Sequence, residues 1–73
     1  MLDRIKKILY DSYSIENITP ETNIKNDLGL TSFDFLNLIL KINNEFGIMI
    51  PPIQYREINT VEDLMIYLEA NSK

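Results

Sequence analysis

The sequence contains no cysteine and no histidine. Disulfide bonds, thiolate nucleophiles, imidazole bases, and the zinc, haem and iron–sulfur sites that use these ligands are therefore excluded. No apolar run approaches the roughly 20 residues that a membrane-spanning helix needs. The N-terminal segment also lacks the apolar core and cleavage site of a signal peptide. These absences predict a cytoplasmic protein without a metal site.

The chain is short and moderately acidic. Its 73 residues have room for one hydrophobic core, so residues 1–73 are predicted to form a single domain. The apolar fraction of 45% is typical of a folded protein. The net charge of −4 falls entirely in residues 27–73, where three basic residues face seven acidic ones. Because nucleic-acid binding needs clustered basic residues, nucleic acid is not expected as a partner.

Hydrophobic side chains recur with the helical period in three segments. The predicted helices are Leu2–Tyr13, Ser32–Phe46 and Val61–Ala70. Thr31 and Thr60 are the predicted N-caps of the second and third helices, since a threonine hydroxyl accepts from the first free N–H groups. Gly47 is predicted to end the second helix in the left-handed conformation that glycine tolerates.

The connection 14–31 is longer than most loops in compact domains. It is expected to be ordered because its apolar side chains can anchor it on the core: Ile15, Ile18, Ile24, Leu28 and Leu30. After Gly47 we expect an extended stretch halted by Pro51 and Pro52, and one short helical turn within Gln54–Ile58. The predicted fold is therefore all-α, a small bundle of three main helices and one short helix with a long ordered loop.

The second helix carries more apolar surface than one core-facing side requires. On a helical wheel, one wide arc suited to face a core holds Phe35, Leu38, Ile39, Ile42 and Phe46. A separate stripe consists of Phe33, Leu36 and Leu40. Two interpretations stay open. The stripe packs under the long loop or the first helix, or it is an exposed contact surface for a partner protein.

Ser32 begins the predicted second helix and lies beside this stripe. Because Thr31 can cap the helix, the Ser32 hydroxyl is not needed for capping. The free N–H groups and the dipole at a helix N-terminus favour a phosphate attached there. A nucleophilic serine would need a neighbouring base, and without histidine only a lysine or a carboxylate such as Asp27 or Asp34 remains. We therefore expect no enzyme activity and predict no catalytic residue.

Residues 27–34 read Asp-Leu-Gly-Leu-Thr-Ser-Phe-Asp, and residues 44–48 read Asn-Glu-Phe-Gly-Ile. With the Ile-Pro pair at 50–51 and the Thr-Val-Glu-Asp-Leu start of the last helix at 60–64, this pattern resembles the acyl carrier protein family over nearly the whole chain. The resemblance implies an acyl-carrier-like bundle in which a separate phosphopantetheinyl transferase attaches 4′-phosphopantetheine from coenzyme A to Ser32. It further implies that the thiol of that group carries acyl or aminoacyl intermediates as thioesters between loading and synthase enzymes of fatty-acid, polyketide or related biosynthesis.

The predicted site therefore has two parts in a protein expected to be a monomer. The predicted cofactor-site residues are Ser32, Asp27, Leu28, Gly29 and Thr31, and the predicted partner-contact residues are Phe33, Asp34, Leu36 and Leu40. The other serines lack the setting of Ser32. Ser12 is placed on the apolar side of the first helix, Ser14 at its end and Ser72 in a frayed tail. Modification is predicted at Ser32 alone.

The sequence departs from the usual family pattern near this serine. Thr31 and Phe33 stand where the family usually has Asp and Leu. The predicted docking face is also poor in acid: Asp34 and Glu45 are accompanied by Asn37, Lys41, Asn43 and Asn44. Because charge complementarity governs association rate and partner choice, this favours a specialised pathway, such as polyketide, peptide, lipid-modification or aminoacyl transfer chemistry. The alternative function is a small helical interaction module with a carrier-like fold that is never modified.

Overall fold

The computed structural model describes residues 1–71, and the predicted position of Ser72 lies outside them. The elements are α1 (Leu2–Tyr13), α2 (Ser32–Phe46), a 3₁₀ helix (Pro52–Glu57) and α3 (Val61–Asn71). Within residues 1–71 there is no strand, and one isolated β-bridge joins Asn23 to Thr60. The predicted all-α bundle is confirmed. None of the helices in this part of the chain has the length and apolar character required to cross a membrane.

The core is formed by apolar side chains from all three α-helices and from the loops. Its helical members are Ile5 and Leu9 of α1, Phe35, Leu38, Ile39 and Ile42 of α2, and Val61, Leu64 and Leu68 of α3. Among residues 1–71 no polar or charged residue is buried. Phe46, which the wheel assigned to the core arc, is only partly buried, and the guanidinium of Arg4 covers its ring 4.5 Å from the ring centroid.

The long connection 14–31 is ordered, as its apolar side chains predicted. Ile18 and Ile24 are buried, and Ile15, Leu28 and Leu30 are partly buried against the core. This burial offsets part of the entropy lost when so long a loop is fixed. The loop thereby becomes part of the domain and delivers the chain to the start of α2 in one position.

The same connection also satisfies the beginning of α3. The backbone N–H groups of Val61 and Glu62 donate to the carbonyl oxygens of Thr22 and Pro20, each at 2.9 Å. The first N–H groups of a helix have no acceptor within the helix, so these loop carbonyls replace water. The loop and α3 therefore stabilise each other.

The segment after α2 is organised by Asn43. Gly47 ends the helix at φ 65°, in the predicted left-handed conformation. The side-chain oxygen of Asn43 accepts from the N–H of Ile50 at 3.1 Å, and Ile50 is buried. The short helix begins at Pro52 rather than at Gln54 as predicted. Proline is tolerated in the first turn of a helix, where its missing N–H would have no partner.

A capping box begins α3. The Thr60 hydroxyl accepts from the Asp63 N–H at 3.1 Å, and the Asp63 carboxylate accepts from the N–H groups of Thr60 at 3.0 Å and Asn59 at 3.1 Å. This confirms Thr60 as the N-cap, and Asp63 is its reciprocal partner. The donors of Thr60 and Asn59 hold the pKa of the Asp63 carboxyl below its ordinary value, because they stabilise the charged form.

The two apolar sides of α2 should respond differently to truncation. Ile42 is fully buried, whereas Leu40 is 57% exposed. We expect Ile42→Ala to lower the free energy of unfolding by about 2–5 kcal/mol, because a cavity forms. Leu40→Ala should lower it by less than about 1 kcal/mol. Urea unfolding of the three proteins measures both losses. Equal losses would show that Leu40 belongs to the core.

Asp63 should make the free energy of unfolding depend on pH in the acidic range. Its pKa is lower in the folded than in the unfolded chain, so the carboxylate stabilises the fold above the unfolded value of about 3.9. This contribution is lost as the pH falls through the folded pKa. Wild type should therefore be more stable than Asp63→Asn near neutral pH, and the difference should shrink below about pH 4. Urea unfolding at several pH values measures it. A difference independent of pH would contradict this role of the Asp63 charge.

Candidate functional site

Ser32 is the first residue of α2, and its side chain is exposed. Thr31 caps the helix: its hydroxyl accepts from the Asp34 N–H at 3.1 Å, and the Asp34 carboxylate accepts from the Thr31 N–H at 3.2 Å. The Ser32 hydroxyl makes no hydrogen bond with any residue from 1 to 71. It is therefore available for modification, and no base is hydrogen-bonded to it that would make it a nucleophile on its own.

The three residues Asp27, Leu28 and Gly29 shape the chain before the serine. The Asp27 carboxylate accepts from the N–H of Asn23 at 2.8 Å, which closes a turn. Leu28 is partly buried against the core. Gly29 has φ 67°, a conformation that side-chain-bearing residues rarely adopt. These contacts position the start of α2, and a direct contact of the three residues with a cofactor stays a prediction.

The last residue of α1 fixes the first turn of α2. The Tyr13 hydroxyl donates to the backbone carbonyl of Asp34 at 3.1 Å. Partial burial raises the pKa of Tyr13 above its ordinary value, and the nearby Asp34 carboxylate raises it further. The tyrosine therefore stays a neutral donor at physiological pH. This bond ties the helix that carries Ser32 to the rest of the bundle.

An open depression of about 380 Å³ adjoins Ser32. Its lining consists of Lys25, Leu30, Thr31, Ser32, Phe35, Leu36, Tyr55 and Arg56. The rings of Phe35 and Tyr55 meet edge to face, with centroids 5.9 Å apart, and form part of its wall. Sequence analysis did not identify Lys25, Tyr55 or Arg56, because they come from the loop and the 3₁₀ helix without a recognisable spacing.

The stripe on α2 is exposed. Phe33 is 73% exposed, Leu36 46% and Leu40 57%. Of the two interpretations, packing under the loop or under α1 is thereby excluded. Met49, which is also exposed, lies nearby, since its sulfur is 3.8 Å from the side-chain nitrogen of Asn43. An exposed apolar stripe on the helix that begins with Ser32 suits contact with another protein, and that role stays a prediction.

Both carboxylates on α2 are engaged within the protein. Asp34 belongs to the capping box. Glu45 accepts from Arg4 of α1 at 2.6 Å and 2.9 Å, and the same guanidinium donates to the Glu45 carbonyl at 2.9 Å. Lys41 is exposed and makes no ion pair with residues 1–71. The exposed side of α2 therefore offers a partner little negative charge.

Ser12 falls on the apolar side of α1 on the helical wheel, but the structure leaves it exposed. It lines a shallow depression between α1 and α2, together with Asp11, Lys41 and Asn44. On the wheel it lies between Ile8 and Ile5, but the α2 residues opposite it are polar or charged. Ser12 is therefore accessible, and it differs from Ser32 because it lies inside a helix, away from the free N–H groups of a helix start. Ser14 ends α1 in a left-handed conformation.

Comparison with known proteins identifies the family. Residues 2–68 match the family described as the phosphopantetheine attachment site. The chain is also similar to a chain in the crystal structure of the Bradyrhizobium japonicum glycine:[carrier protein] ligase complexed with glycylated carrier protein. The two chains are 31% identical, the match covers 89% of each, and the TM-score is 0.66. The protein belongs to the phosphopantetheine-attachment family and is a carrier protein.

Members of this family attach 4′-phosphopantetheine covalently. The start of α2 fits that group. Ser32 provides a free, exposed hydroxyl, and the N–H groups at the start of the helix favour the negative charge of a phosphodiester. The neighbouring depression combines apolar walls with the basic side chains of Lys25 and Arg56. Within residues 1–71 no cluster of acidic side chains could hold a metal ion.

Proposed function

We propose that Ser32 carries the 4′-phosphopantetheine group, which a separate phosphopantetheinyl transferase transfers from coenzyme A, and that residues 1–73 form one carrier domain. The observation that supports this most strongly is the exposed hydroxyl at the first position of α2, left free because Thr31 caps the helix. The bound group supplies a thiol, to which an acyl or aminoacyl group is attached as a thioester. The protein itself performs no chemistry on that cargo.

The chain's own contribution is positioning and recognition. The capping box and the Tyr13 hydrogen bond fix the start of α2, so the attachment point has one orientation. The exposed stripe of Phe33, Leu36 and Leu40 runs from that point along the helix and offers partner enzymes an apolar contact surface. A tether also raises the concentration of its cargo at the enzyme to which the protein is bound. Loading and synthase enzymes are the expected partners.

The charges on α2 support a specialised pathway rather than primary fatty-acid synthesis. An acidic α2 would attract enzymes with basic docking patches, but here Asp34 and Glu45 are engaged and Lys41 adds a positive charge. The similarity to a structure that contains a glycylated carrier protein supports an aminoacyl group as one class of cargo. Polyketide, peptide and lipid-modification chemistry remain within the proposal.

Modification at Ser32 can be read directly from intact mass. Incubated with coenzyme A and a broad-specificity phosphopantetheinyl transferase, the wild type should gain the mass of one phosphopantetheine group. Ser32→Ala should gain none while its circular dichroism stays helical, since Ser32 does not cap the helix. Ser12→Ala, at the other helical serine within residues 1–71, is the matched control and should be modified like the wild type. A modified Ser32→Ala protein would contradict the assignment, and an unmodified wild type would support the alternative of an unmodified interaction module.

The charge of α2 should decide which enzymes recognise the protein. The substitutions Asn37→Glu, Lys41→Ala and Asn44→Glu make that helix more acidic by three charge units. After modification, the triple variant should accept a malonyl group from a malonyl transferase of bacterial fatty-acid synthesis faster than the wild type does. The gain should be largest at low salt, because salt screens exposed charges. Loading rate against salt concentration measures this.

The control variant carries the same change of charge elsewhere. Lys6→Glu and Ala70→Glu also add three negative charge units, at exposed positions of α1 and α3. This variant should load at nearly the wild-type rate if the site of the charge matters. Equal acceleration by both variants would mean that net charge alone acts. Wild type that already loads as fast as an ordinary fatty-acid carrier would contradict the specialised-pathway proposal.

A further inference from the structure

Two basic side chains line the depression beside Ser32, and the fold uses only one of them. The ammonium of Lys25 donates to the Tyr55 carbonyl at 2.6 Å and to the Asn59 side-chain oxygen at 3.3 Å. It also lies 5.3 Å from the centroid of the Phe35 ring. Lys25 therefore joins the long loop to the 3₁₀ helix. Its donors are directed at the protein rather than at a ligand.

Arg56 differs because its guanidinium has no partner among residues 1–71. The residue is exposed, and its side chain makes neither a hydrogen bond nor an ion pair there. The adjacent Glu57 lines a different depression, together with Asp63. The carboxylate nearest to Ser32 in the sequence, Asp34, is held in the capping box. An unpaired cation thus borders the depression in which Ser32 lies.

The rest of this depression is apolar. Its walls include Leu30 and Leu36 and the paired rings of Phe35 and Tyr55. The part of phosphopantetheine nearest to its serine has a matching order of chemical groups, a phosphodiester anion followed by a carbon with two methyl groups. The phosphate would lie next to the start of α2 and the basic side chains of the lining. The dimethyl carbon would lie against its apolar wall.

We propose that Arg56 binds the phosphate of the group attached to Ser32, and that Leu36 and Tyr55 contact its dimethyl segment, so that the arm is held against the protein between encounters with enzymes. This inference rests on the proposed attachment at Ser32. Because Arg56 is exposed, its ion pair with the phosphate is weak. It shifts the equilibrium between held and free arm towards the held state but does not immobilise the arm. Exposed ion pairs change such an equilibrium by about 1.5- to 5-fold.

The test compares four modified proteins by NMR: wild type, Arg56→Gln, Arg56→Lys and the control Lys41→Gln, which removes one exposed positive charge outside the depression. The readouts are cross-relaxation between the arm's methyl protons and the side chains of Leu36 and Tyr55, and the phosphorus line width. Wild type should show the cross-peaks. The ratio of held to free arm should fall by about 1.5- to 5-fold in Arg56→Gln. In Arg56→Lys the ratio of held to free arm should stay close to the wild-type ratio, and in Lys41→Gln it should equal the wild-type ratio.

Salt provides an independent measurement on the wild type. At about 1 M salt, where the screening length is about 3 Å, its cross-peaks should weaken towards those of Arg56→Gln. This titration decides the question even where a variant fails to fold. Cross-peaks that are absent from wild type, or indifferent to both salt and Arg56→Gln, overturn the inference. Intact mass is measured first: a protein that gains no mass at Ser32 contradicts the proposed attachment, whereas a modified protein without the cross-peaks contradicts the role of Arg56 alone.

Discussion

The reciprocal hydrogen bonds between Thr31 and Asp34 are the constraint on which the site depends. The first N–H groups of a helix have no acceptor within the helix, and serine is among the residues whose side chains accept from them best. Here the cap lies one residue earlier, at 3.1 Å and 3.2 Å, so the Ser32 hydroxyl stays free within the first turn. The Tyr13 hydroxyl then fixes that turn from α1. The register of α2 follows from this start, and with it the positions of the stripe and of the wall of the depression.

The ion pair between Arg4 and Glu45 affects the surface charge of α2 more than the stability of the fold. Arg4 reaches from α1 to the last turn of α2, where it binds the Glu45 carboxylate and carbonyl and covers the Phe46 ring. A cation at a helix C-terminus is favourable, but the two charged side chains are 53% and 43% exposed, so water screens the pair and it contributes little to folding. Its main effect is to pair a carboxylate on the side of α2 that we propose as the contact surface for partners. Under that proposal, partner choice can change without any change in the core.

Local signals predicted most of the fold, because its helices are defined by local chemistry. The hydrophobic period gave the bounds of α1 and α2, and Thr31, Gly47 and Thr60 marked helix ends. The exposure of the stripe could not be read from a helical wheel, which gives angles but not what covers each side. The depression was missed because Lys25 and Arg56 are brought together only by the path of the loop. The sequence predicts the 3₁₀ helix two residues too late, because a proline can end an extended segment but also suits a first helical position, as Pro52 does here.

Leu36 belongs both to the exposed stripe and to the lining of the depression. One side chain of this size cannot be covered fully by a partner enzyme and by the prosthetic arm at the same time. If the stripe is the docking surface and Arg56 holds the arm, as we propose, a partner that docks on the stripe competes with the held arm, and the arm is released where an enzyme is present to receive it. Such competition needs the held state to be weak, since a strongly bound arm would oppose docking. An exposed arginine meets that condition, because its pairing with a phosphate remains in contact with water and is screened by salt.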